Sequence, residues 1–106
     1  MYAKNTIIIK TNWDRKKKKG GWAATVAETG KTISGTEYNT SSDQLSLTAM
    51  TEATKAFGGV GVKLRFVNKN SRAIMAVKHP TASINCALGR EFRAAAKATG
   101  TRYSFK

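Results

Sequence analysis

Acidic residues, cysteine, histidine and proline are all scarce in this chain of 106 residues. The sequence contains six Asp and Glu, one Cys, one His and one Pro. With Cys86 alone no intramolecular disulfide can form, so the fold does not depend on an oxidising compartment, and a reducing, cytoplasmic location is favoured. One His and one Cys are too few ligands for a zinc site. The single Pro excludes collagen-like and Pro-rich chains.

Long hydrophobic runs are also absent. The longest obvious one is the three-residue stretch Ile7, Ile8 and Ile9, whereas a membrane helix needs about 20 apolar residues. The N-terminus lacks the apolar core and small-residue cleavage site of a signal peptide. We therefore expect no membrane span and, although an anionic membrane surface is the second candidate for a polyanionic partner, no membrane partner.

What the chain has in excess is positive charge. Nineteen Lys and Arg against six acidic residues give a net charge of +13. Residues 1–61 carry nine basic and five acidic residues, and residues 62–106 carry ten basic residues and one acidic residue. Because one-sided charge opposes compaction, it indicates a polyanionic partner, with nucleic acid first and an anionic membrane surface second. The alternative is a solubilising surface.

Hydrophobic periodicity predicts eight elements in the order β-β-β-α-β-α-α-β. Strands are predicted over 5–11, 21–28, 31–39, 62–67 and 102–106, and helices over 45–57, 73–77 and 84–99. Helix caps are predicted within 40–43 and at Asn70 or Ser71, and His79 and Pro80 are predicted to end the second helix. The run Ile7–Ile9 is apolar on both faces, which indicates a central strand. The prediction is one α/β (α+β) domain over 1–106, a mixed five-stranded sheet with helices on its faces.

This order, with these loop lengths, resembles the ribonuclease H fold family. Gly20-Gly21-Trp22 matches the Gly-Gly-aromatic start of the family's second strand, and Thr40-Ser41-Ser42 matches the polar cluster that opens its first helix. The stretch 64–68 before a short helix matches its fourth strand. The resemblance implies a ribonuclease H-like fold over nearly the whole chain.

The catalytic carboxylates of that family have no counterpart here. By the resemblance they fall at Lys10 or Asn12, at Ser46 and at Asn68, and the fourth has no place before the chain ends. Two Mg²⁺ ions held close together need several carboxylates. The resemblance thus implies a member without catalytic residues, metal or cofactor. Asp43 and Asp14 leave open a single-metal remnant, against ordinary roles as a helix cap and a loop residue.

The strongest local signal for a binding site is a run of five cations, which repel one another and so are expected in an exposed loop over 13–20. A flexible basic loop can track a phosphate backbone, and Trp13 beside it can stack on a base or pack over the edge of the core. A second basic group, Arg90, Arg93 and Lys97, forms one stripe of the last helix. On the fourth strand, Lys63 and Arg65 share one face. The predicted nucleic-acid-binding residues are Arg15, Lys16, Lys17, Lys18, Lys19, Trp13, Asn12, Lys10, Thr40, Ser41, Ser42, Asn68, Arg90, Arg93 and Lys97. Thr40 to Ser42, Asn12 and Asn68 enter through the resemblance; capping, turn formation and ordinary solvation are the alternatives for the polar and helical residues.

The leading hypothesis is a non-catalytic protein that binds an RNA–DNA hybrid, structured RNA or duplex DNA through its backbone. A compact, degenerate domain of this kind suits a virus or a mobile element. One alternative is a protein-interaction module docking an acidic partner such as a polymerase or a host factor. Another is a divalent-metal nuclease with a rearranged site. A homodimer is also left open.

Overall fold

The computed structural model describes residues 3–78 and 84–106. It has five strands and three helices, the mixed α+β class that the periodicity predicts. In chain order they are β1 (Ala3–Asp14), β2 (Lys19–Val26), β3 (Thr32–Tyr38), α1 (Ser42–Phe57), β4 (Val62–Val67), α2 (Ser71–Lys78), α3 (Ile84–Thr99) and β5 (Arg102–Phe105). The predicted role of His79 and Pro80 in ending α2 falls outside the described residues.

The strands form one mixed sheet in the order β3-β2-β1-β4-β5. β1 is antiparallel to β2 and parallel to β4, while β2 and β3 are antiparallel and β4 and β5 parallel. The central strand is therefore β1, as its isoleucine run predicts. Ile7 and Ile9 are buried, but Ile8, on the opposite face, is only half-buried.

All three helices lie on one face of the sheet, which corrects the prediction of helices on both faces. α1 packs on β1 and β2, and α3 packs beside α1 and against α2. The buried strand residues all share that face; they are Ile7, Ile9, Trp22, Ala24, Val26, Leu64 and Phe66. On the other face, which we call the open face, none of the strand residues with described side chains is buried.

The open face is defined by alternation from the buried residues, because neighbouring side chains of a strand point to opposite faces. β1 contributes Lys4, Thr6, Ile8, Lys10, Asn12 and Asp14, β2 contributes Lys19, Gly21, Ala23 and Thr25, and β3 contributes Thr32, Ser34, Thr36 and Tyr38. β4 contributes Lys63, Arg65 and Val67, and β5 contributes Arg102 and Ser104. Six of these side chains are cations and one is an acid.

The helix ends follow their sequence signals. The Ser41 hydroxyl accepts a hydrogen bond from the Gln44 amide at 3.2 Å and caps α1. Asn70 caps α2 in the same way, accepting from the Ala73 amide at 3.1 Å. α3 ends where Gly100 takes a φ of +70°, a conformation that favours glycine. None of the helices in the described ranges is long and apolar enough to cross a membrane.

An aromatic cluster holds α3 on the β4–β5 side of the sheet. The Phe92 ring meets Phe66 edge-on at a centroid distance of 5.5 Å and Tyr103 at 4.8 Å. Phe105 lies 6.1 Å from Phe66. Such pairs each add about 0.5–1.5 kcal/mol beyond the area they bury. Tyr103 and Phe105 are thus half-buried and pack against the core, on the face that the alternation of the last strand predicts.

In the first half of β1, a carboxylate from the segment after β2 extends the β1–β2 pairing. Glu28 Oε1 accepts a hydrogen bond from the Thr6 amide at 2.7 Å, and the Ala27 amide donates to the Thr6 carbonyl at 2.9 Å. The hydrogen bond from the Thr6 backbone holds the pKa of Glu28 below its ordinary value of 4.5.

Candidate nucleic-acid interface

The basic run forms a tight hairpin turn and not a long loop. β1 continues to Asp14 and β2 begins at Lys19, so the turn is only 15–18, and Asn12, Trp13 and Lys19 belong to strands. Asp14 Oδ1 accepts hydrogen bonds from the Lys16 amide at 3.0 Å and the Lys17 amide at 3.2 Å. This carboxylate organises the backbone of the turn, and the cationic side chains of the turn are exposed. The predicted loop over 13–20 was too long because strand pairing across Gly20 and Gly21 continues further than the charge pattern suggests.

Trp13 ties this turn to the loop before α1. Its indole Nε1 donates to the Thr40 carbonyl at 3.0 Å, and the Thr40 amide donates to the Lys18 carbonyl at 2.9 Å. The Trp13 side chain is 36% exposed. The indole is therefore held in place by a hydrogen bond while part of its ring remains accessible.

Gly20 is required where the hairpin crosses α1. It pairs with Trp13 across the ladder, and a Cβ there would lie 2.8 Å from Leu45 Cδ1 and collide with the Asn12 carbonyl. The first glycine of the Gly20-Gly21-Trp22 motif thus allows β2 to pass close to α1. Trp22 is 8% exposed and belongs to the core, as predicted.

A cavity of about 760 Å³ opens where β4 ends at Val67 while β1 continues beyond it. The first turns of α1 and α2 border it, through Ser42 and Asp43 in α1 and through Ser71 and Arg72 in α2. Its charged lining residues are the cations Lys10, Lys69 and Arg72 and the single acid Asp43. The lining is therefore basic.

Three residues predicted to replace catalytic carboxylates meet in this cavity. Lys10, Ser46 and Asn68 all line it, although they come from β1, α1 and the end of β4. Asn12, the other candidate on the first strand, pairs with Gly21 and does not line the cavity. Of the two candidates on the first strand, Lys10 is the one that lines the cavity.

The amides at the end of β4 are engaged in local structure. Asn68 Oδ1 accepts from the Asn70 amide at 2.9 Å, and its Nδ2 lies 3.7 Å from Met50 Sδ. The Asn70 side chain donates to Asp43 Oδ1 at 2.9 Å. This network links α1 to the start of α2 and fixes the wall of the cavity.

The two acids proposed for a metal remnant, Asp43 and Asp14, do not line the same cavity. Asp43 lies in the first turn of α1, where Ser41 and not Asp43 is the N-cap, so the capping role predicted for Asp43 was wrong. Asp14 organises the hairpin turn and does not line the cavity. In the ranges 3–78 and 84–106, no group of three or more His, Cys, Asp or Glu residues is placed to hold a metal ion.

The polar cluster before α1 has mixed roles. The Ser41 hydroxyl is the helix cap, and Thr40 Oγ1 donates to Gln44 Oε1 at 3.5 Å. Ser42 lines the cavity. Of the three residues that the resemblance nominated, Ser42 is therefore the one placed beside the basic lining.

The stripe on α3 lies apart from the cavity. Arg90, Arg93 and Lys97 are exposed, while Phe92 and Ala96 on the same helix are buried against the core. None of the three lines the cavity. They occupy the solvent side of the helix layer, on the opposite side of the sheet from the open face.

Sequence reasoning missed two cations of the cavity, Lys69 and Arg72. They flank Asn70, the cap of α2, and face the cavity because this cap starts the helix beside β1. The signal was present, since a capping Asn after a strand marks a loop at the strand's carboxyl end.

No protein-family model and no curated protein matches the chain.

Proposed function

We propose that this chain is a non-catalytic nucleic-acid-binding protein with a ribonuclease H-like fold. The observation that carries the proposal is the meeting of Lys10, Ser46 and Asn68 in one basic cavity. The resemblance nominated these positions from three separate segments, and a chance alignment gives no reason for them to converge. The succession of five strands and three helices supports the same fold.

The charges of the cavity favour binding over cleavage. Two divalent cations need several carboxylates to offset their mutual repulsion. The cavity offers one carboxylate, Asp43, already accepting from Asn70, against three cations. A fixed ammonium group at Lys10 attracts a phosphate where a ribonuclease H recruits a metal ion.

The proposed ligand is the phosphate backbone of an RNA–DNA hybrid, structured RNA or duplex DNA. The starts of α1 and α2 border the cavity, and backbone N–H groups at helix starts favour anions. The cations of the turn 15–18 extend the positive surface along the hairpin. Since these groups contact phosphate and not base edges, recognition rests on shape and charge.

Fluorescence anisotropy with labelled hybrid, duplex RNA and duplex DNA of about 20 base pairs tests this proposal between about 50 and 200 mM salt. The turn variant combines Lys16→Gln with Lys17→Gln. The control variant combines Lys31→Gln with Lys55→Gln and removes the same charge from exposed positions elsewhere. The turn variant is expected to bind more weakly and to lower the salt slope by about 2, with the control close to wild type.

Four results would contradict the proposal. Affinity that does not change with salt excludes binding through the backbone. Equal, weak binding to every polyanion, including heparin, reduces it to nonspecific charge. Cleavage in Mg²⁺ or Mn²⁺ that Asp43→Asn abolishes supports the nuclease alternative, whereas weak binding unaffected by the turn variant supports the protein-interaction alternative.

A further inference from the structure

We infer that the open face of the sheet is a second phosphate-binding surface, continuous with the cavity, along which the bound nucleic acid runs. This inference rests on the proposed function and adds to it a surface on the side that no helix covers. The occupant of this surface is a nucleic-acid backbone.

A row of like charges crosses three adjacent strands of this face. Lys4 pairs with Lys63, and Lys63 pairs with Arg102. Adjacent strands lie about 4.8 Å apart, so the row spans about 10 Å. Like charges placed directly opposite each other destabilise a sheet. The facing pair of Lys4 and Lys63 therefore carries a repulsion that an anion bound between the two ammonium groups would offset.

A second row extends the positive surface along the strands. Arg65 lies two residues beyond Lys63 on β4, about 7 Å along the strand, and pairs with Thr6 and Ser104 on its neighbours. These hydroxyl groups can donate to phosphate oxygens. Further along β1, beyond the end of β4, Lys10 lies on the open face and also lines the cavity. Lys10 thus joins the two surfaces.

Acids do not neutralise this part of the face. Within the described ranges, no carboxylate oxygen lies within 4.0 Å of the side-chain nitrogens of Lys4, Lys63 or Arg65; the ion pair recorded there, Lys55 with Glu52 at 3.7 Å, lies on α1. The one acid on the open face, Asp14, is at the far end of β1 and accepts from the turn amides. Lys4 and Arg65 are exposed and Lys63 is half-buried, and none of these three has an acidic partner within that distance.

The chemistry of the face favours nucleic acid over a bilayer. Peripheral membrane binding combines charge with an apolar surface that enters the lipid. Here the apolar residues between the cations, Ile8 and Val67, are half-buried, and the exposed aromatic Tyr38 lies on the distant edge strand β3. Hydroxyl groups and regularly spaced cations instead match a linear array of phosphates.

The test compares the sheet variant, Lys63→Gln with Arg65→Gln, with the turn variant and the control variant defined above. All three remove two positive charges. Anisotropy with the same duplexes is expected to give about tenfold weaker binding for the sheet variant at low salt and a salt slope lower by about 2. Its thermal unfolding midpoint should equal or exceed that of wild type, because the substitutions relieve repulsion at solvent-facing positions.

The outcomes separate this inference from the proposed function. If wild type binds and the turn variant weakens binding while the sheet variant matches the control, the open face is not a binding surface and the proposed function stands. If wild type shows no salt-dependent binding, both are overturned. Binding of phosphatidylserine vesicles that requires Lys63 and Arg65, with no effect of these residues on duplex binding, would assign the face to lipid and overturn the inference.

Discussion

The indole nitrogen of Trp13, on β1, donates a hydrogen bond to the backbone carbonyl of Thr40 across 3.0 Å. The two residues are 27 positions apart, and the bond fastens the basic hairpin to the loop that begins α1. The Thr40 amide returns a bond to the Lys18 carbonyl. The orientation of the cationic turn relative to the cavity therefore depends on this pair of contacts.

Replacing Trp13 with Phe should loosen this attachment while keeping an aromatic ring in place. Loss of one hydrogen bond is expected to lower the free energy of unfolding by about 0.5–1.5 kcal/mol. Urea unfolding followed by circular dichroism measures the change. Tyr38→Phe is the control, because it removes a polar group from an aromatic residue that is 72% exposed. Equal effects of the two substitutions would show that the bond contributes nothing.

Gly35 is expected to tolerate no side chain. It pairs with Trp22, and a Cβ at this position would lie 2.7 Å from Cζ2 of the Trp22 ring. Gly35→Ala should destabilise the protein by about 1–3 kcal/mol because the ring must shift within the core. At Gly21 on β2, a Cβ would meet the Gly35 carbonyl at an ordinary 3.5 Å, so Gly21→Ala is the matched control. A stable Gly35→Ala variant in chemical denaturation would contradict this packing.

Stability should depend on pH through Glu28. The hydrogen bond from the Thr6 amide lowers the pKa of this carboxyl below 4.5, so the folded state favours the ionised form. Its contribution is present above the unfolded pKa and is lost as the pH falls through the folded pKa. Glu28→Gln should therefore be less stable than wild type near pH 7, and the difference should shrink on acidification below about pH 4.

The control for this effect is Glu91→Gln, which makes the same change of charge at an exposed position on α3. Thermal midpoints measured across the pH range separate the two. A gap between wild type and Glu28→Gln that stays constant with pH would mean that the carboxylate charge is not what the Thr6 amide stabilises.

Lys10 should matter more for binding than a cation of α3. It lines the cavity and lies on the open face, whereas Lys97 lies on the solvent side of the helix layer. Lys10→Gln is expected to weaken duplex binding about three- to tenfold, and Lys97→Gln about twofold or less. Anisotropy at one low salt concentration compares them. The reverse ranking would place the interface on the helix layer and would contradict a role of the cavity in binding.

Periodicity predicted the elements well where each residue had one structural role. β4 and α3 begin and end where their patterns indicate, and Gly100 marks the end of α3. The hairpin end was misjudged because five like charges read as a loop, although pairing of Asp14 with Lys19 keeps the last of them in β2. Local charge gave no information on the partner strand.

The one-sided sheet could not be read from the sequence, and this hid part of the candidate surface. The Ile7–Ile9 run is apolar at every position, so it predicts burial on both faces, yet Ile8 is half-buried among the open-face side chains. Lys4 and Arg102 are isolated in the sequence, so no local charge pattern indicates that they belong to a binding surface. Only the register of β1, β4 and β5 brings them into one row with Lys63.

The open face also bears on how copies of this protein behave toward each other. Two uncovered sheets can pack face to face at about 10 Å, and half-covered residues such as Ile8 and Val67 would be buried by such stacking. The rows of cations oppose this approach, since each face meets its own charge in the other. Added salt weakens this repulsion, because at about 1 M salt charges are screened from each other beyond about 3 Å. The positive charge of the open face therefore opposes face-to-face stacking of two copies, and this opposition weakens as ionic strength rises.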